Sequence, residues 1–265
     1  MAQQKENVDF LNNLNDYVTG VLGGHWDNVS VDFSKPESWI NFATEDRNVH
    51  MVNHIFDNIG IHHNFVLDIG AYSSMASNVY PIMKKNNING ILLDGENKHR
   101  DPEVKTEWIT KDNICNLLNF YNCPKSLDYI SLDIDNMDYW ILKELLDADY
   151  TTNLLVLEFN PIFSYDESFV KKYDSKAIKD GTSNYGASLY AFTKLLDSYG
   201  YRLIQVLTNN AYFIHKRYDI SDRFINSEKT LRDLHPIPYM ESHKNNFSDD
   251  INVVRERLKR LFVEI

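Results

Sequence analysis

The sequence predicts an α/β protein with a doubly wound, mostly parallel seven-stranded sheet that finishes in an antiparallel hairpin. Three observations support this fold class. Short, continuous apolar runs typical of strands buried on both faces recur from residue 64 onward. Helical patterns separate several of these runs. The last two runs are joined only by the short polar stretch "TNN", which favours a β-hairpin.

The predicted elements follow one another along the chain. Seven strands are expected at "FVLDIG", "GILLDGE", "TEWIT", "YISLDID", "NLLVLEFN", "YRLIQVL" and "AYFIHK". Helices are expected at "NICNLLNFY", "MDYWILKELLDAD" and "SLYAFTKLLDSYG", and Gly200 is suited to end the last of these.

The segments on either side of the sheet domain are predicted to be helical. Residues 1–60 form an N-terminal helical extension or lid, with helices at "NVDFLNNLNDYVTGVL" and "DRNVHMVNHIFDNIG". Residues 61–218 form the sheet domain, and residues 219–265 a C-terminal helical extension with a helix from Asp249 to Val263. The polar loop from Phe163 to Ser188 is long enough to be a substrate lid.

Composition narrows the range of functions. The chain has 265 residues, 43% of them hydrophobic, and a formal net charge of −11, which argues against a surface that binds duplex nucleic acid. It has no apolar run of the roughly 18 residues that a membrane span needs, and "MAQQKENVDF" has no apolar signal core. We therefore expect a cytoplasmic protein without a membrane partner. Cys115 and Cys123 are predicted to be buried thiols.

The first candidate ligand site lies at the ends of the first two predicted strands. In doubly wound sheets, ligands bind beyond the carboxyl ends of the strands. Asp68 and Gly70 end the first strand and Asp94 ends the second, in a chain that lacks the GxGxxG pattern of a pyrophosphate cradle. A carboxylate at the second strand end can accept both hydroxyls of a ribose, so the pair fits a nucleoside without phosphates, such as S-adenosylmethionine. A tight turn in which only glycine fits is the alternative for Gly70.

Neighbouring backbone and a third strand end complete the predicted cofactor site. Ala71, Tyr72 and Gly95 belong to the same two turns, and Asp112 lies near the end of the third predicted strand, within reach of an adenine. Alternatively, Asp112 caps the helix that begins at Ile114.

The chain resembles the FkbM-like family of S-adenosylmethionine-dependent methyltransferases. The resemblance runs from about Phe65 to His215. It rests on the ordered blocks "LDIGAYSSMASNVYPI", "GILLDGE", "ISLDIDNMDYWILKEL", "LLVLEFNPIF", "YGASLYAFTKLLDSYGYRLI" and "NAYFI". It implies a class I methyltransferase fold over residues 61–218, with Asp68, Gly70 and Asp94 at the cofactor. It also implies methylation of a hydroxyl on a sugar or other small natural product.

Four oxygen-bearing side chains follow the fourth and fifth strands and are expected to meet beside the cofactor. Asp133 and Asp135 are predicted to be catalytic, and Glu158 and Asn160 to complete the group. Such ligands suit Mg²⁺, in an arrangement similar to that of catechol O-methyltransferase-like enzymes, with Asp133, Glu158 and Asn160 as metal ligands. Without a metal, one carboxylate serves as general base. Asp138 is interpreted as a first-turn helix acid.

Two other functions compete with a methyltransferase. "DID" also satisfies the DxD pattern of metal-dependent glycosyltransferases, which leaves "LDIG" and "ILLDGE" without roles. The glycine-poor first turn is compatible with a non-catalytic nucleoside-binding module. In the methyltransferase interpretation the partner is a small-molecule or glycan acceptor; the sequence does not indicate an oligomeric state.

Overall fold

A computed structural model describes residues 45–97, 100–178, 182–207, 209–218 and 251–265. The first predicted helix, residues 7–22, lies outside the described residues. Most of the two predicted helical extensions, residues 1–60 and 219–265, also lies outside the described residues, and the boundaries of these extensions stay predictions. Within the described ranges, no helix combines the length and the apolar character needed to cross a membrane.

The core of the protein is the predicted seven-stranded sheet, and the order of its strands is β3-β2-β1-β4-β5-β8-β7. Only β8 runs antiparallel to the other six strands. A separate two-stranded antiparallel sheet joins β6 to β9. The strands are β1 Phe65–Ile69, β2 Asn89–Asp94, β3 Val104–Thr106, β4 Ser126–Leu132, β5 Thr151–Glu158, β6 Phe169–Lys171, β7 Tyr201–Leu207, β8 Asn210–His215 and β9 Phe262–Glu264.

Helices cover both faces of the large sheet, which confirms the doubly wound architecture. The first two helices pack on one face and the next three on the other. A 3-10 turn follows β8 at Lys216–Tyr218. The helices are α1 Glu45–Ile59, α2 Tyr80–Asn86, α3 Ile114–Phe120, α4 Asp138–Asp147, α5 Leu189–Ser198 and α6 Ile251–Lys259.

The continuous apolar runs of the sequence are explained by burial on both faces. Val66 and Tyr129 point to the face covered by α1 and α2, whereas Leu67 and Ile130 point to the face covered by α3, α4 and α5. Because alternate residues of a strand face opposite sides, a strand covered on both sides needs apolar residues at nearly every position.

Two predicted elements differ from the structure. The third strand is Val104–Thr106 rather than "TEWIT", because pairing with β2 ends at Asp94 and Thr106 and the chain then turns away. The C-terminal helix ends at Lys259 rather than Val263. Beyond it, Phe262 packs with Ile162, Phe163 and Leu258 while its strand pairs with β6.

Candidate functional site

A cavity of about 870 Å³ lies at the carboxyl ends of β1, β2 and β4. This is the edge at which ligands bind in doubly wound sheets. Most of the predicted site residues line it, namely Asp68, Gly70, Ala71, Tyr72, Asp94, Gly95, Asp133 and Asp135.

Gly70 is required by the close approach of β1 and β4. Its φ is +98°, in the region that favours glycine, and a Cβ at this position would lie 1.6 Å from the backbone oxygen of Asp133. The amides of Gly70 and Ala71 both donate to the carbonyl oxygen of Leu93 on β2, at 2.9 and 3.0 Å. Gly70 therefore occupies a tight turn in which only glycine fits, which was the alternative to a ligand-binding role. The same turn also lines the cavity with backbone atoms.

Asp68 is buried beneath this turn. Its carboxylate accepts a hydrogen bond of 2.5 Å from Ser77 Oγ, which in turn accepts from the amides of Val79 and Tyr80 at the start of α2. Burial raises the pKa of Asp68 to about 6, with a further contribution from the negative charge of Asp133. Asp68 thus supports the first turn of α2 as well as lining the cavity.

Asp94 connects the turns that follow β1 and β2. Its carboxylate accepts from the amides of Tyr72, Glu96 and Asn97 at 2.9, 2.8 and 3.3 Å. A carboxylate offers about four acceptor positions, so roughly one remains for a ligand.

The wall beyond β3 is formed by residues that the sequence interpretation missed. Trp108, Ile109 and Thr110 line the cavity. The Trp108 ring lies against Gly95, since a Cβ on that glycine would be 3.2 Å from Trp108 Cε3. Trp108 Nε1 donates to the carbonyl oxygen of Ser175 at 2.8 Å. The available signal is a tryptophan just past a strand end, but the pattern "TEWIT" predicts this residue inside the strand.

Asp112 does not line the cavity. Its carboxylate accepts a hydrogen bond of 3.0 Å from the Tyr173 hydroxyl. The residue at the start of α3 is Asn113, whose side chain accepts from the Thr110 amide and donates to the Trp108 carbonyl. Asp112 therefore lies on the outer side of the turn whose inner side is Trp108–Thr110.

Three of the four predicted oxygen ligands converge. Carboxylate oxygens of Asp133, Asp135 and Glu158 lie within 4.8 Å of one another. Asp135 has a φ of +65° and lines the cavity, whereas Glu158, only 7% exposed, lies behind its wall and accepts from Asn209 Nδ2. Such a set can bind a cation or take up a proton.

Asn160, predicted to be a metal ligand, instead makes hydrogen bonds to the loop that follows β5. Its amide nitrogen donates to the carbonyl oxygens of Ser183 and Tyr185, both at 2.8 Å, and its oxygen accepts from the Ile162 amide at 3.1 Å. It holds the long loop after β5 and does not line the cavity.

Asp138 shapes the loop that presents the two β4 carboxylates. It is the first residue of α4, as predicted, but its side chain turns back and accepts from the amides of Ile134 and Asn136 at 2.8 and 3.0 Å. Burial, together with the charge of Asp133, raises the pKa of Asp138 to about 7. Asp138 therefore fixes the path of the loop that carries Asp133 and Asp135.

Part of the predicted lid covers the cavity. Tyr173, Asp174, Ser175, Ala177 and Ile178 line it from the side of the loop after β5. This segment follows β6, which pairs with β9 near the C-terminal end of the described chain.

Comparison with known proteins finds likeness only among solved structures. No protein-family model and no curated protein matches the chain, so the FkbM-like resemblance stays a prediction.

The structural neighbours include S-adenosylmethionine-dependent methyltransferases. One from Clostridium acetobutylicum ATCC 824 is 11% identical, with a TM-score of 0.38 over 66% of this chain and 92% of that one. One from Aquifex aeolicus is 12% identical, with a TM-score of 0.33 over 68% and 98%. An O-methyltransferase family protein from Burkholderia thailandensis is 10% identical, with a TM-score of 0.33 over 79% and 69%. At these values the likeness carries no weight in assigning an activity, which must be argued from the site.

Proposed function

We propose that this protein is an S-adenosylmethionine-dependent methyltransferase that methylates a hydroxyl of a sugar or other small molecule. The observation that carries the proposal is one cavity bordered by the Gly70 turn, Asp94 and the carboxylates at the end of β4. The order of the sheet strands also supports the proposal. The antiparallel strand β8 lies between β5 and β7, and class I methyltransferases share this arrangement.

The two ends of the cavity suit different parts of the cofactor. Asp94 would accept a ribose hydroxyl, and the Trp108 ring offers an apolar surface for the adenine. At the other end, the carboxylates of Asp68 and Asp133 suit the positively charged sulfonium and amino groups of the cofactor. The proposal needs no phosphate-binding loop, because this cofactor carries no phosphate.

The cofactor assignment is tested by calorimetry with S-adenosylmethionine. We expect Asp94→Ala to weaken binding by about 1.5–3 kcal/mol, the value of one hydrogen bond to a charged group. Asp57→Ala is the matched control, because Asp57 is exposed on α1, does not line the cavity and should leave affinity unchanged. Urea unfolding of each variant separates a lost contact from a lost fold. Unchanged affinity of Asp94→Ala, with the fold intact, would remove the ribose assignment.

The acidic group at the ends of β4 and β5 would serve the acceptor. As the methyl group leaves sulfur and bonds to the acceptor oxygen, the hydroxyl proton passes to the carboxylate of Asp135, which lines the cavity, giving S-adenosylhomocysteine and a methyl ether. The neighbouring carboxylates of Asp135 and Glu158 fit Mg²⁺, which when bound would hold the acceptor and lower its hydroxyl pKa.

A chelator distinguishes these two versions. If Mg²⁺ takes part, EDTA should abolish methyl transfer and leave S-adenosylmethionine affinity intact, and added Mg²⁺ should restore it. If a carboxylate alone is the base, EDTA should have no effect, and the rate should rise with pH as that carboxylate loses its proton.

A DxD glycosyltransferase is the second candidate, because Asp133 and Asp135 both line the cavity. Metal-dependent binding of UDP or GDP in the same calorimetric experiment, without binding of S-adenosylmethionine, would favour it. Absence of both would favour a non-catalytic module.

A further inference from the structure

Asn136 presents an unused hydrogen-bond donor in the wall of the cavity. Its side chain is 3% exposed and lines the cavity next to Asp135. Its Nδ2 has no hydrogen-bond partner among the described residues. A buried amide nitrogen without a partner is costly, so this group is suited to meet an oxygen of a bound ligand.

Lys171 fixes the orientation of this amide. The Lys171 ammonium donates to Asn136 Oδ1 and, at 2.7 Å, to the carbonyl oxygen of Asn184. Because an ammonium has donors only, the amide atom beside it must be the oxygen, and Nδ2 points the other way. The Trp140 indole donates to the Lys171 carbonyl at 2.8 Å and holds β6 against α4.

The contact with Lys171 also strengthens the donor. A cation on the amide oxygen draws electron density from the amide, and chains of hydrogen bonds polarise one another in a buried setting. The backbone of Asn136 is held as well, since its amide donates to Asp138 and its carbonyl accepts from Gly186 at 3.0 Å. Asn136 therefore offers a rigid, polarised N–H best matched by a carboxylate oxygen.

Three residues before Asn136, the same loop carries a negatively charged hydrogen-bond acceptor in place of a donor. The carboxylate of Asp133 is suited to an ammonium group, and the Asn136 amide to a carboxylate. An α-amino acid group carries both charges on one carbon. We propose that Asn136, positioned by Lys171, binds the carboxylate of an α-amino acid group whose ammonium is bound by Asp133. This rests on the proposed function, in which that group is the methionyl end of the cofactor.

Two probes that differ only in this group test the proposal. S-adenosylhomocysteine carries the amino acid group, and 5′-methylthioadenosine lacks it. By calorimetry, we expect Asn136→Asp to weaken S-adenosylhomocysteine binding at least tenfold, equivalent to about 1.4 kcal/mol. Binding of 5′-methylthioadenosine should stay within about twofold. Aspartate at position 136 keeps the size and the contact with Lys171 but replaces the donor by a negative charge.

Lys171 provides an independent variant if Asn136→Asp does not fold. Lys171→Met should lower affinity for S-adenosylhomocysteine alone, and Lys171→Arg should restore part of it. Lys172→Met is the matched control, because within the described ranges Lys172 Nζ donates to the Arg260 carbonyl, at 3.4 Å on the surface, and Lys172 neither hydrogen-bonds to Asn136 nor lines the cavity. This control should bind both probes as the unaltered protein does.

Each remaining outcome contradicts the proposal. Equal loss of both probes in the variants would make Asn136 and Lys171 supports of the loop only. Unchanged S-adenosylhomocysteine affinity would exclude the carboxylate contact. If the unaltered protein bound neither probe, the proposed function itself would fail, whereas binding of both probes with no effect of the variants would overturn this inference alone.

Discussion

Replacement of Gly70 by alanine should destabilise the protein far more than a typical glycine substitution. Two costs combine at this position. An L-residue held at φ +98° is strained by about 1–2 kcal/mol. The new Cβ would also lie 1.6 Å from the Asp133 carbonyl oxygen, so β1 and β4 must separate, at an overpacking cost of about 1–3 kcal/mol.

The chain offers a matched control in Gly186. It also has a positive φ, +60°, but a Cβ there would meet nothing within 4 Å. Gly186→Ala should therefore carry the conformational cost alone, about 1 kcal/mol. Gly70→Ala should cost about 2–5 kcal/mol, which corresponds to a drop in Tm of roughly 5–15 °C for a protein of this size.

Urea unfolding and thermal melting of the two variants measure the difference. The expected result is a clearly larger loss for Gly70→Ala at an unchanged m-value. Equal losses in both variants would refute the reasoning, because the crowding against Asp133 would then contribute nothing. A larger loss with intact S-adenosylmethionine binding would show that the turn tolerates displacement without harming the cavity.

The remaining predictions concern buried titratable groups. Burial raises the pKa of Asp138 to about 7 in the folded protein. Between about pH 4 and pH 7 the folded state therefore retains a proton that the unfolded state has lost. Because of this difference, the contribution of Asp138 makes the free energy of unfolding fall as pH rises through that range. Asp138→Asn should flatten that part of the curve in urea titrations with EDTA present, and an unchanged slope would contradict this. Burial raises the pKa of Cys123 to about 12, so iodoacetamide at pH 8 should modify it only after urea is added, as read by peptide mass spectrometry; rapid labelling of the folded protein would argue against the burial.

Strand ends were the part of the site that the sequence could predict. A buried apolar run that ends in an acid places that acid at the carboxyl edge of the sheet, whichever way its loop then turns. Asp68, Asp94 and Asp133 were found in this way, and all three line the cavity. The doubly wound sheet and its final hairpin were also predicted, because alternating strands and helices restrict such a sheet to few topologies; the order of its strands was not.

Residues beyond the strand ends depend on loop paths, which local pattern does not specify. Asn160 lies two residues after Glu158, which would place both on one side of a continuing strand. The strand stops at Glu158, however, so the alternation no longer applies and Asn160 turns into the loop. Lys171 and Asn136 are 35 residues apart, and nothing in either segment indicates their contact.

The position of β8 between β5 and β7 has a consequence for the order of folding. The two hairpin strands are neighbours in sequence and can form early, whereas the β5 edge pairs with β8 only across a long separation. Until the hairpin docks, β5 exposes an apolar edge that can recruit another chain. Docking also brings Asn209 to Glu158, 51 residues away in sequence. The step that protects the nascent protein from aggregation is therefore the same step that sets the third carboxylate in place.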